Sequence, residues 1–392
     1  MDFRFTPEQE EFRQQVKVFL DERWPKETRD SLPLDPRDPK VVTQEEREIV
    51  LEMGRRGWLA VAWPKEYGGQ GKGMAYQYLL WEEMEKAGVW FPATALTMVG
   101  PTIFRVGTDD QKREWLPHIV HGEMELSLGY TEPNAGSDLA SLQTRAVEDG
   151  DDYVINGQKM FHTEGHIASH AWLLARTDPS APKHRGLSVF IVPLDSAGVT
   201  VRPLWTLGGG RTNELFLENV RVPKKNLIGE PNRGWYHVAM ALDFERVGAN
   251  RYIACVRVLT GLLQFVRTAK ADGRPLAKDP VVRQIVGELA TEVEVARLFA
   301  YRSTWMIEKG LVPNYEASAE KAWATELEQR IANAGTQIMG IYGQLAEGEP
   351  KAPLEGKMEG AYRTSVVRTI GGGTSQIQRD VIARRGLGLP RG

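Results

Sequence analysis

The sequence predicts an α+β multidomain chain: a helical domain over residues 1–125, an all-β domain over 126–230 and a second helical domain over 231–392. Hydrophobic period sets the division. Apolar residues recur at helical spacing in the outer zones and alternate in the middle one. Punctuation agrees, because turn signals crowd the middle zone whereas the last zone has few breakers.

The first helix announces itself with Thr6-Pro7-Glu8-Gln9, an N-cap, a proline at the first helical position and acid in the first turn. Phe12, Val16 and Phe19 then mark its buried face. A helix over 43–56, the loop WPKEYGGQGKG (63–73) and a helix from about 74 to 87 follow. In the middle zone, DGDDYVINGQKMFHTEG carries Asp149-Gly150 and Asn156-Gly157, each read as a hairpin turn. HAWLLARTD, GLSVFIVPLD, VTVRPLW and ELFLENVRVP read as further strands of a small barrel or sandwich. Beyond residue 233 the chain reads as long helices joined by PLAKDP and GEPKAPLEG.

Composition narrows the function classes. A formal net charge of −3 over 392 residues gives no broad field for nucleic acid or a membrane surface. A single cysteine, Cys255, excludes an internal disulfide, and the seven histidines show no metal-ligand spacing. The N-terminus lacks an apolar signal region, and no run is long enough to span a bilayer, so a cytoplasmic protein is expected.

One helical stripe carries an acid. Trp235, Val238, Leu242, Ala249, Tyr252, Val256, Leu259, Leu263 and Val266 follow steps of three and four once position 245 is filled, and that residue is Glu245. An acid in an apolar seam is desolvated, which favours its neutral form and makes it a stronger base. The competing reading is a structural acid paired with an arginine. Asp243 and Arg246 lie off the seam centre.

Gly371-Gly372-Gly373 run into a helix start read as a capping box from Ser375 to Gln378, with Gly386 ending the helix. Backbone N–H groups there can approach a bulky anionic ligand closely, although a plain flexible link has the same composition. LGYTEPNAGSD (128–138) supplies the hydroxyls of Thr131 and Ser137, and MFHTEG (160–165) sets the aromatic Phe161 beside Thr163.

These segments resemble the acyl-CoA dehydrogenases over essentially the whole chain. YTEPNAGSDL, GQKMFHTEG, FLENVRVP, QIMGIYG and GGTSQIQR occur in that family's order and approximate spacing. The resemblance implies a middle β-barrel, a C-terminal four-helix bundle, FAD, an acyl-CoA substrate and electron-transfer flavoprotein or a similar acceptor. It also implies a homotetramer or homodimer, with an α2β2 heterotetramer as the alternative. Leu128, Gly129, Tyr130, Thr131, Ser137, Phe161 and Thr163 would hold the flavin. Gln337, Gly340, Thr374 and Gln376 would meet its ADP half, and Ser137, Asp243 and Arg246 the CoA portion of the substrate.

Two departures shape the expectation. Many members carry the catalytic glutamate where this chain has Gly372; a minority carry it on the long helix, where this chain has Glu245 before Arg246. The resemblance thus implies Glu245 as base and the Gly372 N–H as donor to the thioester oxygen. The segment that supplies a pyrophosphate-binding arginine in the family reads AKADG (269–273) here, leaving Lys270, Arg267 or Arg211 to supply the charge. The ADGRPLAKDP wording, like GWLAVAWPKEYGG, is similar to an actinobacterial-type subgroup, some of whose members act on steroid or other bulky CoA thioesters. A non-catalytic partner subunit and a flavin-dependent oxidase or monooxygenase are the alternatives.

Overall fold

Thr6 opens the first helix with a reciprocal cap: Gln9 N–H donates to the Thr6 hydroxyl (3.3 Å), and Thr6 N–H to the Gln9 side chain (2.9 Å). The computed structural model describes residues 3–34, 41–245 and 249–390, without the side chains of Asp30 and residues 242–245. The N-terminal part holds α1 (Pro7–Arg23), α2 (Lys26–Ser31), α3 (Gln44–Arg55), α4 (Met74–Ala87), α5 (Gly100–Val106) and α6 (Asp109–Val120). Thr43 and Thr108 repeat the reciprocal cap at α3 and α6. Phe12, Val16 and Phe19 are buried in one core with Met53, Leu80 and Met84, as their spacing requires.

The middle part holds β1 (Leu126–Gly129), β2 (Arg145–Asp149), β3 (Asp152–Lys159), β4 (His170–Arg176), β5 (Leu187–Pro193), β6 (Val199–Trp205) and β7 (Arg211–Pro223). They form one seven-stranded sheet in the order β1-β4-β2-β3-β7-β6, with β5 on the other side of β4. One face of β2, β3, β4, β5 and β7 closes around a single core of Ile155, Leu173, Phe190, Leu217 and Val222, so the sheet is curled. The opposite face of β4 and β5, with Trp172, Leu174, Val189 and Ile191, packs into the N-terminal core. Cover on both faces explains why these two strands read as continuous apolar runs.

Only one of the two expected hairpin turns is a turn. Asp149-Gly150 joins β2 to β3 with Asp149 opposite Asp152. Asn156-Gly157 lies inside β3, at a bulge against β7 between Ile155 and Gly157. A Cβ on Gly157 would sit 2.3 Å from Thr144 Oγ1, so close strand packing, not chain reversal, explains this glycine.

The C-terminal part holds α7 (Gly234–Glu245), α8 (Asn250–Thr268), the small strands β8 (Lys270–Ala271) and β9 (Arg274–Pro275), α9 (Pro280–Glu308), α10 (Tyr315–Met339), α11 (Lys357–Arg368) and α12 (Ser375–Val381). Helices α8 to α11 form a bundle around Val258, Leu262, Val293, Leu327 and Ile331. The long stripe is not one seam. Val238 and Ala241 of α7 join the N-terminal core, whereas Tyr252, Leu259 and Val266 of α8 join the bundle core. Period alone could not reveal this change of partner, because both halves keep the same spacing.

A buried carboxylate fastens the bundle to the N-terminal helices. Glu82 on α4 accepts from Arg13 Nη2 (2.8 Å), from Tyr301 OH (3.4 Å), and from Tyr252 OH in the first turn of α8. Lys86 Nζ lies 3.1 Å away. Burial, and then the Glu82 charge, push the Tyr252 phenol far above its ordinary pKa, so it stays a donor. Glu308 at the end of α9 adds a second fastening by accepting Ala75 N–H at the start of α4 (3.1 Å).

Inside the sheet, His162 is fully buried. Its Nδ1 meets Leu128 O (2.8 Å), which can only accept, so Nδ1 carries the proton and Nε2 accepts from the Ser127 hydroxyl (2.9 Å). Its main chain exchanges hydrogen bonds with Asn213: His162 N–H to Asn213 O (2.8 Å), and Asn213 Nδ2 to His162 O (2.9 Å). Burial, reinforced by the Lys159 charge, lowers its pKa from 6.5 to about 4.

Two outcomes are expected. Tyr252→Phe removes a buried hydrogen bond to a charged group and should cost about 1.5–3 kcal/mol in denaturant melts. The unfolded chain protonates His162 below pH 6.5 but the native protein only near pH 4, so stability should decline as pH falls between those values. That decline amounts to roughly 3 kcal/mol. Melts of His162→Gln over the same interval should show a flatter slope.

Candidate active site

The site is assembled at the ends of β1 and β3. Strand β1 lies parallel to β4 with Leu128 opposite Trp172 and Gly129 opposite Leu173, which fixes Leu128 and Gly129 at the sheet edge. Tyr130 is buried, and its carbonyl accepts from the Lys159 ammonium (3.2 Å). Thr131 follows, half-buried, its carbonyl held by Met160 N–H (2.8 Å).

Lys159 has no exposed surface, and its charge is met by Glu132 Oε1 at 2.8 Å. Burial, the largest influence, lowers the lysine pKa to about 8 against the opposing pull of Glu132. Glu132 feels an opposing burial effect, but Lys159 and its hydrogen bonds hold its pKa below the usual carboxylate value. The same carboxylate accepts from Gln143 N–H (2.6 Å) and Thr144 N–H (2.9 Å), closing the loop that carries Ser137. Ser137 itself is exposed.

Past β3, Phe161 takes a left-handed backbone (φ 52) and leaves its ring 56% exposed. A non-glycine residue in this region is strained, and an exposed aromatic ring gains little from its own chain. The turn continues with Thr163 N–H donating to Phe161 O (2.9 Å), and the Thr163 hydroxyl lies 3.2 Å from that of Thr212. Arg211 Nε donates to Asn213 Oδ1 (3.0 Å), so Asn213 ties Arg211 to the His162 turn. Glu164, also left-handed (φ 62), accepts from the Trp90 indole (2.9 Å) and joins this turn to the N-terminal helices. Thus Thr131, Phe161, Thr163 and Arg211 converge. A cavity of about 810 Å³ opens beside them, lined by His166, His170, Asp195 and Arg211; of the predicted residues it borders only Arg211.

The C-terminal residues lie at two places, the end of α10 and the start of α12. Gln337 is exposed on the last turn of α10, and Gly340 ends that helix with φ 62. Helix α12 is capped by Thr374, whose hydroxyl accepts Ile377 N–H (3.2 Å), not by Ser375 as the sequence suggested. Gln378 is not the partner of a capping box; its Nε2 donates to Gly372 O (3.0 Å) and Gly373 O (3.2 Å). Gly372 (φ 65) and Gly373 (φ 90) are left-handed, and Gln376 is exposed. Arg379 on α12 pairs with Glu326 on α10, at 2.6 and 2.8 Å, and joins the two helices.

Glu245 is the last residue of α7, and Asp243 precedes it in the same helix. Their side chains, and the whole of Arg246, lie outside the described residues. The AKADG segment is a hairpin: Asp272 (φ 48) and Gly273 (φ 77) turn between β8 and β9, with Lys270 exposed. No contact among the described residues ties Lys270 to the convergent group.

Lys159, Glu132, His162 and Asn213 escaped the sequence reading. Lys159 had one available signal: in β3 it shares the parity of the inward residues Tyr153 and Ile155. The others had none, because their partners are remote in the chain.

The donor set fits FAD. A strained, exposed aromatic ring, the paired hydroxyls of Thr163 and Thr212, the Arg211 guanidinium and left-handed glycines suit a flat ring system with acceptor edges and a phosphate tail. Among the described residues no cluster of His, Cys, Asp and Glu could hold a metal ion. Nor is any helix among them long and apolar enough to cross a membrane.

Three domain families match the chain in order: acyl-CoA dehydrogenase N-terminal domain over residues 6–123, middle domain over 127–220 and C-terminal domain over 232–387. The acyl-CoA dehydrogenase FadE26 of Mycobacterium tuberculosis is 38% identical, with 100% of this chain and 99% of that one covered. A solved structure described as the Tcur3481-Tcur3483 steroid ACAD has a TM-score of 0.88 at 36% identity, with 100% of both chains covered. The ChsE4-ChsE5 complex from Mycobacterium tuberculosis gives 0.87 at 37% identity, again over 100% of both chains. Joined to a helical, curled-sheet, helical architecture with these motifs at its strand ends, such similarity shows that the chain belongs to the acyl-CoA dehydrogenase family of FAD-dependent oxidoreductases.

Proposed function

We propose that this enzyme desaturates an acyl-CoA thioester between its α and β carbons, with Glu245 removing the α-proton and the Gly372 N–H holding the thioester oxygen. The backbone at Gly372 carries this reading. With φ 65 it suits glycine and disfavours any side chain, so backbone serves there and the acid must come from elsewhere. Glu245 ends α7, the helix that matches the family's second glutamate position. When bound, FAD accepts the β-hydrogen as hydride, and the product is a trans-2-enoyl thioester.

The chain's own groups do the rest. Loss of an α-proton places negative charge on the thioester oxygen, and a preorganised N–H stabilises that charge. Leu128, Gly129, Tyr130 and Thr131 present the β1 end to the flavin, Phe161 covers its ring and Thr163 meets its edge. Gln337, Gly340, Thr374 and Gln376 receive the ADP half, and Arg211 supplies charge to the pyrophosphate in preference to Lys270, because only Arg211 joins the convergent group. Ser137, Asp243 and Arg246 hold the CoA portion.

The substrate class is a bulky, steroid-type CoA thioester. Its support is the full-length likeness to a structure titled as a steroid ACAD and the absence of a side chain at position 372. The assembly is an α2β2 heterotetramer in preference to a homotetramer. Its support is that the similar solved structures carry paired names, and that Ile341, Tyr342, Tyr362, Val366 and Ile370 leave apolar surface exposed on the C-terminal part. Electron-transfer flavoprotein or a similar acceptor would reoxidise the flavin.

A second reading, a subunit that completes its partner's site, draws on the AKADG segment, which has Ala269 where the family's arginine is expected. The flavin spectrum of the chain purified alone separates the two: a yellow protein supports the first, and a colourless one that refuses added FAD supports the second. Glu245→Gln should retain the flavin spectrum yet lose desaturation by roughly 10²–10⁴-fold, assayed over an acyl-CoA panel with an artificial electron acceptor. Near-wild-type turnover would remove Glu245 from the mechanism. Gly372→Ala should lower kcat by about 10²-fold through a displaced N–H while FAD remains bound. Unaltered kcat would sink the role given to that donor.

A further inference from the structure

We infer that Lys159 is a positioning residue for the flavin: by holding the Tyr130 carbonyl inward, it aims the Thr131 N–H at the cofactor's pyrimidine edge. The inference rests on the flavin placement proposed above and goes beyond it.

An ammonium with no exposed surface is costly to desolvate; one carboxylate balances its charge, and its remaining N–H groups need further acceptors. Glu132 is that carboxylate, at 2.8 Å. The second contact of Lys159, to Tyr130 O at 3.2 Å, gives another of these N–H groups an acceptor and at the same time fixes the direction of that carbonyl. The peptide unit is planar, so the Tyr130 carbonyl and the Thr131 N–H point in opposite directions. A carbonyl turned toward the buried lysine sends that N–H outward. Among the described residues the Thr131 N–H donates to no other group, and Thr131 is half-exposed. The next peptide is fixed too, because the Thr131 carbonyl accepts Met160 N–H at 2.8 Å. Both sides of Thr131 are thus clamped, leaving one free donor at the strand end.

The charge adds an electronic consequence. A cation on the carbonyl polarises the peptide and strengthens the hydrogen bond that its N–H makes. Such a donor favours negative charge on the flavin, so Lys159 should raise the potential of the bound cofactor.

The test reads FAD binding and potential, not turnover, so its result is independent of Glu245. Lys159→Met/Glu132→Gln removes both buried charges together and avoids stranding the carboxylate. Apoprotein of this variant should bind FAD about tenfold more weakly, and its bound flavin should have a more negative midpoint potential. A folded double variant with wild-type FAD affinity and potential overturns the inference, since a purely structural role lowers melting temperature alone. Hydrogen exchange on the wild-type protein gives a measurement that needs no variant. FAD should add protection to the amide of Thr131, and no added protection there overturns the inference even where the variant does not fold.

Discussion

A lysine ammonium sealed from water, held between a carboxylate and a backbone carbonyl, organises the middle of this enzyme. Lys159 ends β3, Tyr130 follows β1, and Glu132 closes the loop over residues 132–144. These three segments carry Thr131, Ser137, Phe161 and Thr163. Breaking one partner would strand the other in a dry environment, so the arrangement is held in full or lost as a unit. Beside it the neutral His162 and Asn213 stitch β1 to β7, and they extend the same network to Arg211.

The sheet can be this exacting because it is covered twice. Strands β4 and β5 serve the barrel-like core with one face and the N-terminal helical core with the other. Strained residues at its edge, Phe161 and Glu164, are tolerated because the structure around them is fixed on both sides. Helix α7 packs into the N-terminal core and α8 into the bundle, so Glu245 lies where the two helical bodies are joined. The Glu82 cluster holds the start of α8 from the N-terminal side.

Two family positions that changed in this chain have local explanations. Gly372 has a left-handed backbone, a conformation that disfavours any side chain. The AKADG segment folds as a tight Asp-Gly hairpin whose one arginine, Arg274, sits on the returning strand and not at position 269.

The fold was largely legible because period and punctuation are local properties. Thr6 and its glutamine, the unbroken apolar runs of β4 and β5, and the glycines before α12 all act within a few residues. Local signals misled where the same pattern serves two ends: Asn156-Gly157 reads as a turn but packs as a bulge, and Ser375 reads as a cap that Thr374 provides. Of the proposed site, sequence alone named the hydroxyls, the aromatic, the glycines and the acid at position 245. Only the tertiary structure decided that Lys159 and Glu132 lie beneath them, that Asn213 joins Arg211 to the His162 turn, and that one apolar stripe feeds two cores. Desolvation is the reason: whether a charge is buried and what it then meets depends on chain segments brought together by folding, and neighbours in sequence carry no record of that.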